Sequence, residues 1–202
     1  MLAVSGGKGG TGKTTTALGL AVALADRRRR PVVVDADVDM PNLHLRAGVP
    51  DDGMERFLDG EPLEDAATES DRYPGVSVLG ATPGLDLERA LRQLVTDRPV
   101  ILDGAAGVSE RSVTPLRHAD RAVLLARDTP AAITDTVKSA RICRNLNLPR
   151  SGILLSRTST VRDAVAETFA GPVHPVPHVE DPVRAEAVRP AYDAVLDGRE
   201  NA

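Results

Sequence analysis

Seven short apolar runs punctuate the chain: Leu2–Val4, Val32–Val34, Val76–Leu79, Val100–Leu102, Ala122–Ala126, Ile153–Leu155 and Val173–Val176. Each is continuously apolar or nearly so, the pattern of a strand buried on both faces. Longer stretches between them carry apolar residues at helical spacing. Thr14–Arg28 places Leu18, Val22 and Ala25 on one stripe, and further helices are expected near Leu85–Thr96, Ala131–Leu146, Val161–Phe169 and Pro182–Leu196. Asp51–Pro74 is acidic and has no clear period, with a short helix expected around Met54–Leu58. Alternating strand and helix predicts an α/β fold: a mostly parallel sheet flanked by helices on both faces. Gly-rich or Asp-rich turns follow several strands, at the edge where open α/β sheets bind ligands.

Composition narrows the picture. The chain has 202 residues, and residues 1–202 read as one domain. Apolar residues make up 42%, enough for a core, but aromatics are only 2% and Trp is absent, so Val, Leu, Ile and Ala must build it. Few aromatics and a net charge of −4 argue against a base-stacking or strongly basic nucleic-acid surface. Binding of DNA would need a basic patch that sequence does not locate. Arg27–Arg30 reads first as a solvated helix C-terminus, where positive charge is favoured, with a DNA or lipid contact as the sharper alternative. The single cysteine, Cys143, excludes an internal disulfide and a CxxC metal site, and a reducing cytoplasm is the expected location. Leu2–Val4 is too short for a signal peptide, and no run approaches the roughly 20 apolar residues of a membrane helix.

The chemistry concentrates between the first strand and first helix. Gly7–Thr14, "GKGGTGKT", satisfies the phosphate-loop pattern G-x-x-x-x-G-K-[ST] in the required strand–loop–helix setting. Gly7, Gly9, Gly10 and Gly12 let backbone N–H groups converge on phosphate oxygens, with Thr11 and Thr15 completing the cradle. The following helix aims its positive end at the same anion. Lys13 should reach the β- and γ-phosphates of a nucleotide, and the Thr14 hydroxyl should ligate Mg²⁺. Only three lysines occur, Lys8, Lys13 and Lys138, and two of them lie in this loop.

"KGGTGKTT", Lys8–Thr15, resembles the deviant Walker A loop of the MinD/ParA family of P-loop ATPases, and of its MinD-like, archaeal type. The resemblance implies the P-loop NTPase fold, ATP and Mg²⁺ as cofactors, and Lys8 as a signature lysine that reaches phosphate across an ATP-induced homodimer. "DADVDMPN" looks like the family's first switch segment. Asp35 then corresponds to the strand-end acid near Mg²⁺, Asp37 to the acid that positions the attacking water, and Asn42 to the closing asparagine. Asp39 has no family counterpart and reads as solvated or helix-capping. "VILDGAAG" is similar to the second switch segment, with Asp103 holding Mg²⁺ through water and Ala105 in place of the family proline. "ITDTVK" puts Asp135 where relatives pair an aspartate with the signature lysine. Ser156 and Arg157, in "ILLSR", and Pro177, in "PVPHVED", occupy the base-binding places; Ser156 stands where relatives carry Asn or Thr, so strict adenine specificity is not implied. His178 reads as a loop residue.

The implied function is an ATP hydrolase acting as a nucleotide switch in spatial organisation or partitioning, with an unidentified protein partner. The alternatives are a nucleotide-binding carrier or synthetase of the same P-loop class, or a nucleotide-binding module without turnover. Relatives that carry iron–sulfur clusters need cluster cysteines, which Cys143 does not supply. The tail, "RPAYDAVLDGRENA", is acidic where MinD proteins have a basic lipid-binding helix, so no intrinsic membrane anchor is expected.

Overall fold

The computed structural model describes residues 1–7, 10–107, 109–169 and 171–198. The chain runs β1 (Leu2–Gly6), α1 (Lys13–Asp26), β2 (Val32–Ala36), α2 (Leu43–Ala47), α3 (Gly53–Leu58), α4 (Leu63–Ala66), β3 (Thr68–Glu69) and β4 (Ser77–Leu79). It continues α5 (Leu87–Gln93), β5 (Val100–Gly104), α6 (Glu110–His118), β6 (Arg121–Arg127), α7 (Pro130–Asn145), β7 (Arg150–Ser156), α8 (Asp163–Phe169), β8 (Val173–Val176) and α9 (Arg189–Asp197). The strands form one sheet in the order β3-β4-β2-β5-β1-β6-β7-β8. Only the β3–β4 pair is antiparallel.

Burial explains the apolar runs. β1, β2 and β5 are buried at every position. Alternate strand residues feed two core clusters, one on each face. Val34, Leu102, Leu124 and Leu155 pack with Met54, Leu91, Leu116, Cys143 and Phe169, from α3, α5, α6, α7 and α8. Val33, Ile101, Leu125 and Leu154 pack with Leu18, Leu43, Tyr192 and Val195, from α1, α2 and α9.

Three departures from the sequence pattern have local causes. β3 is two residues long, too short to show a period. α6 was not expected: it is polar and carries Pro115 in its interior, but a Ser109–Ser112 capping box starts it and Pro115 and Leu116 are buried. The final helix was expected over Pro182–Leu196 but begins at Arg189, with Pro190 in the first turn, where a missing N–H is harmless.

α9 is clamped onto α1. Its Tyr192 is 1% exposed and donates its hydroxyl to the Pro182 carbonyl at 2.9 Å. Arg27, exposed at the end of α1 as the sequence predicts, also bridges the helices, donating to Asp193 at 2.8 Å and to Asp197. Arg189 returns the contact to Asp26 at 2.6 Å. No helix among the described residues is long and apolar enough to cross a membrane.

Gly19 is where α1 meets the Tyr192 ring: a Cβ there would lie 2.3 Å from the ring edge. Gly→Ala within a helix ordinarily stabilises by about 1 kcal/mol. Here overpacking against a ring that is buried and hydrogen-bonded should reverse the sign. Gly19→Ala should destabilise the protein by about 1–3 kcal/mol in denaturant melts; a gain in stability would show that the ring can move aside.

Candidate phosphate and cation site

The site lies at the C-terminal edge of the three central strands β2, β5 and β1. Gly12 is the residue before α1 and has φ 98°, a conformation that L side chains rarely adopt. A Cβ there would meet nothing within 4 Å, so backbone conformation, not space, demands glycine. α1 has no acid in its first turn, so no side chain of that turn offsets its positive end. Lys13, the first residue of α1, is 8% exposed. Burial lowers its pKa, and the nearby charges of Asp103 and Asp37 work against that lowering.

Asp35 and Asp103 are register partners across the parallel β2–β5 pair, so their side chains project beside one another. Both are nearly inaccessible, at 1% and 3%. Asp35 accepts backbone N–H bonds from Asp37 at 3.2 Å, Asn42 at 3.1 Å and Leu43 at 3.0 Å. Burial nevertheless pushes its pKa up to about 6, against the opposing pull of those N–H groups. Burial pushes Asp103 up to about 7; the Thr14 hydroxyl opposes this, Asp35 adds to it and Lys13 opposes it. One carboxylate oxygen of Asp103, Oδ1, is buried with no hydrogen-bond partner among the described residues.

The neighbouring groups complete a polar cup. Thr14 donates its hydroxyl to the Asn42 side-chain carbonyl at 3.3 Å, and the Asn42 amide donates to the Met40 carbonyl at 3.1 Å. Asp37 is half-buried, and its carboxylate accepts from the Met40 N–H at 3.3 Å. The Thr11 hydroxyl is buried without a partner among the described residues, and Thr15 is half-buried on the first turn of α1. Among the described residues no group of three or more His, Cys, Asp or Glu side chains could hold a metal. Two carboxylates and a hydroxyl fit instead a hard cation that keeps water and takes its other oxygens from a phosphate.

Gly7 abuts α7: a Cβ there would lie 3.4 Å from the Asp135 Cβ and 3.5 Å from the Thr136 hydroxyl. Asp135 is thus beside the loop, and it accepts from Lys138 at 2.9 Å among its interactions. Lys8 and Gly9 lie outside the described residues; Gly10 follows them with φ 80°. Ser156 ends β7, and its hydroxyl is engaged by the Ala126 carbonyl at 3.1 Å. Arg157 has φ 62°. Pro177 follows β8 and lines a cavity of about 340 Å³ with His174, Pro175 and Pro190. These three residues share the C-terminal edge of the sheet with the phosphate loop, but β7 is two strand spacings, about 10 Å, from β1. His178 is exposed in its loop. Asp39, expected to be solvated or to cap a helix, is ion-paired with Arg111 of α6. Nothing in the sequence around Arg111 marks it, because the contact joins two distant surface turns.

A phosphate loop feeding a helix from the central strand, with acids at the ends of two neighbouring parallel strands, defines a nucleotide-binding protein of the P-loop NTPase fold. The chain belongs to the CobQ/CobB/MinD/ParA nucleotide-binding domain family, whose pattern matches residues 2–179. It is 31% identical over 173 residues to an uncharacterized ATP-binding protein of Methanocaldococcus jannaschii, covering 78% of this chain and 64% of that protein. It is 31% identical over 150 residues to the antiactivator FleN of Pseudomonas aeruginosa, covering 67% of this chain and 53% of FleN. The chain therefore spans between about half and two thirds of the length of these relatives. The solved structure of the septum site-determining protein MinD from Pyrococcus horikoshii, complexed with Mg-ADP, superposes with a TM-score of 0.75 at 25% identity, covering 100% of this chain and 89% of that one.

The paired carboxylates set a pH dependence. An unfolded aspartate titrates near pH ~4. With folded values of about 6 and about 7, the folded protein keeps protons that the unfolded chain has already released. Their contribution is therefore fully present below pH ~4 and is lost as pH rises through about 6 for Asp35 and about 7 for Asp103. His174, whose pKa burial lowers, acts in the opposite sense, so a variant is needed to isolate the acids. In cation-free buffer the Tm of Asp103→Asn should fall less than that of the wild type between roughly pH 5 and 7.5. Equal slopes would contradict the assignment.

Proposed function

We propose that the protein binds Mg·ATP on the loop from Gly7 to Thr15, hydrolyses it, and in its ATP form pairs with a second copy of itself. The supporting observation is the meeting of three elements: the positive end of α1 with buried Lys13, the carboxylates of Asp35 and Asp103, and the Thr14 hydroxyl. In this reading the backbone N–H groups of Gly7, Gly9, Gly10, Thr11 and Gly12, together with Thr15, bind phosphate. Lys13 holds the β- and γ-phosphate oxygens. Thr14, Asp35 and, through water, Asp103 would hold Mg²⁺, which would supply charge neutralisation on the phosphates when bound. Asn42 steadies Thr14, and Ser156, Arg157 and Pro177 flank the base.

Asp37 orients the attacking water. Its carboxylate is fixed by a backbone donor within its own turn, a suitable hold for a positioning role. Lys8 reaches the phosphates of the facing protomer, and Asp135, beside Gly7, receives that lysine when no partner engages it. The catalytic work is electrostatic and positional, carried by Lys8, Lys13 and Asp37. The two nucleotide states offer different surfaces to a protein partner, so the chain serves as a cytoplasmic switch in spatial organisation or partitioning. Residues 1–202 act as a single unit around one sheet. The apolar side of α9 is turned into the core, where it packs against α1.

Three variants test this reading. Lys13→Ala should weaken Mg·ATP binding by about a hundredfold, from a loss of roughly 2–3 kcal/mol, as read by calorimetry. Lys8→Ala should bind ATP but neither pair nor turn over. Asp37→Ala should bind and pair, yet release phosphate about a hundredfold more slowly, so its dimer accumulates in light scattering. Wild-type turnover by Lys8→Ala or Asp37→Ala would overturn the paired mechanism. Binding without any phosphate release by the wild type would leave a nucleotide-binding module.

A further inference from the structure

The turn after β2 carries both Asp37 and Asp39. It closes through the Met40 N–H, which donates to the Asp37 carbonyl at 3.2 Å and to its carboxylate at 3.3 Å. On its inner side the turn is anchored by Val38, which is 5% exposed and whose carbonyl accepts from the Gly84 N–H at 2.9 Å. Its outer side faces water, where Met40 is 75% exposed. There Asp39 meets Arg111.

Arg111 is oddly placed for a residue with no task. It lies in the first turn of α6, where a positive charge opposes the helix dipole. Pro115, four residues on, lacks the N–H that would bond the Arg111 carbonyl, so this turn is weakly tied to the rest of its helix. The Ser109–Ser112 capping box fixes the stem of Arg111 on the other side. A side chain that is unfavourable where it sits, and that spans to the next loop, is accounted for by the carboxylate it meets.

We propose that Asp39 and Arg111 are a positioning pair that ties the turn carrying Asp37 to the start of α6. The two segments follow β2 and β5, the strands whose terminal acids Asp35 and Asp103 stand side by side. The pair therefore makes the two loops bordering the cation site move as one. Among the described residues it touches neither Lys13 nor the phosphate loop, so it governs the aim of Asp37 and leaves nucleotide affinity alone. This inference rests on the reading of Asp37 given above. Both side chains are substantially exposed, at 46% and 60%, so the coupling is that of a surface pair, about two- to fivefold in rate.

The test is a double-mutant cycle with Asp39→Asn, Arg111→Gln and both together, plus the swapped pair Asp39→Arg/Arg111→Asp. Phosphate release, ATP affinity and hydrogen exchange of the Asp37–Asn42 segment are read on each. Each single variant should lower kcat about two- to fivefold with ATP affinity unchanged. The double should be no slower than either single, and the swap should recover most of the loss. Exchange at the Met40 amide should quicken by a similar factor in each single variant and slow again in the swap. Additive losses, an effect on affinity alone, or unchanged exchange would overturn the pair. If the wild type releases no phosphate, the functional reading fails on its own, and the exchange data still decide whether Arg111 holds the turn.

Discussion

Asp35 and Asp103 stand side by side at the ends of adjacent parallel strands, each almost wholly withdrawn from water. Burying a carboxylate is costly unless donors or an opposite charge compensate it, and here compensation is divided unequally. Asp35 receives three backbone N–H bonds from the turn and short helix that follow it. Asp103 has the Thr14 hydroxyl and the Lys13 charge nearby, and its Oδ1 has no hydrogen-bond partner among the described residues. The fold thus tolerates a local debt of positive charge at the mouth of the phosphate loop. A cation bound there would favour the ionised form of both acids, which are held partly protonated near neutrality by burial.

The rest of the architecture keeps that arrangement in place. Parallel order sends every central strand toward one edge, so β1, β2 and β5 present the loop and both acids within two strand spacings. α1 serves the site at one end and stability at the other. Its N-terminus carries Lys13, its midpoint takes the Tyr192 ring over Gly19, and its C-terminal end is bolted to α9 by Arg27, Asp193 and Asp197. The ion-paired end of that clamp lies a helix length, ~20 Å, from Lys13, so the seating of α1 draws on contacts remote from the candidate site.

What could be read from sequence divides along physical lines. The central strands were legible because burial on both faces leaves an uninterrupted apolar run, as in Val32–Val34. The phosphate loop was legible because its chemistry is local: glycine, lysine and threonine at fixed spacing. β3 and α6 were not, the first being too short for a period and the second polar and interrupted by Pro115. The residues expected to flank a base were legible only as position. Ser156 sits at the expected strand end, but its hydroxyl is taken up by the Ala126 carbonyl, which no local pattern reveals.

Asp39 shows where reading by pattern stops and geometry begins. As a sequence feature it was one more acid in "DADVDMPN", with solvent the natural destination for its charge. Its partner, Arg111, comes from a helix that the pattern did not announce, and a surface ion pair leaves no periodic trace in either segment. Such a pair adds little to global stability, because water competes for both charges. Its leverage is directional: Asp39 belongs to the same closed turn as Asp37, so a modest force on one carboxylate sets the aim of the other. Aim is the more demanding quantity, since a displacement of an ångström can cost far more in rate than the contact contributes in folding free energy.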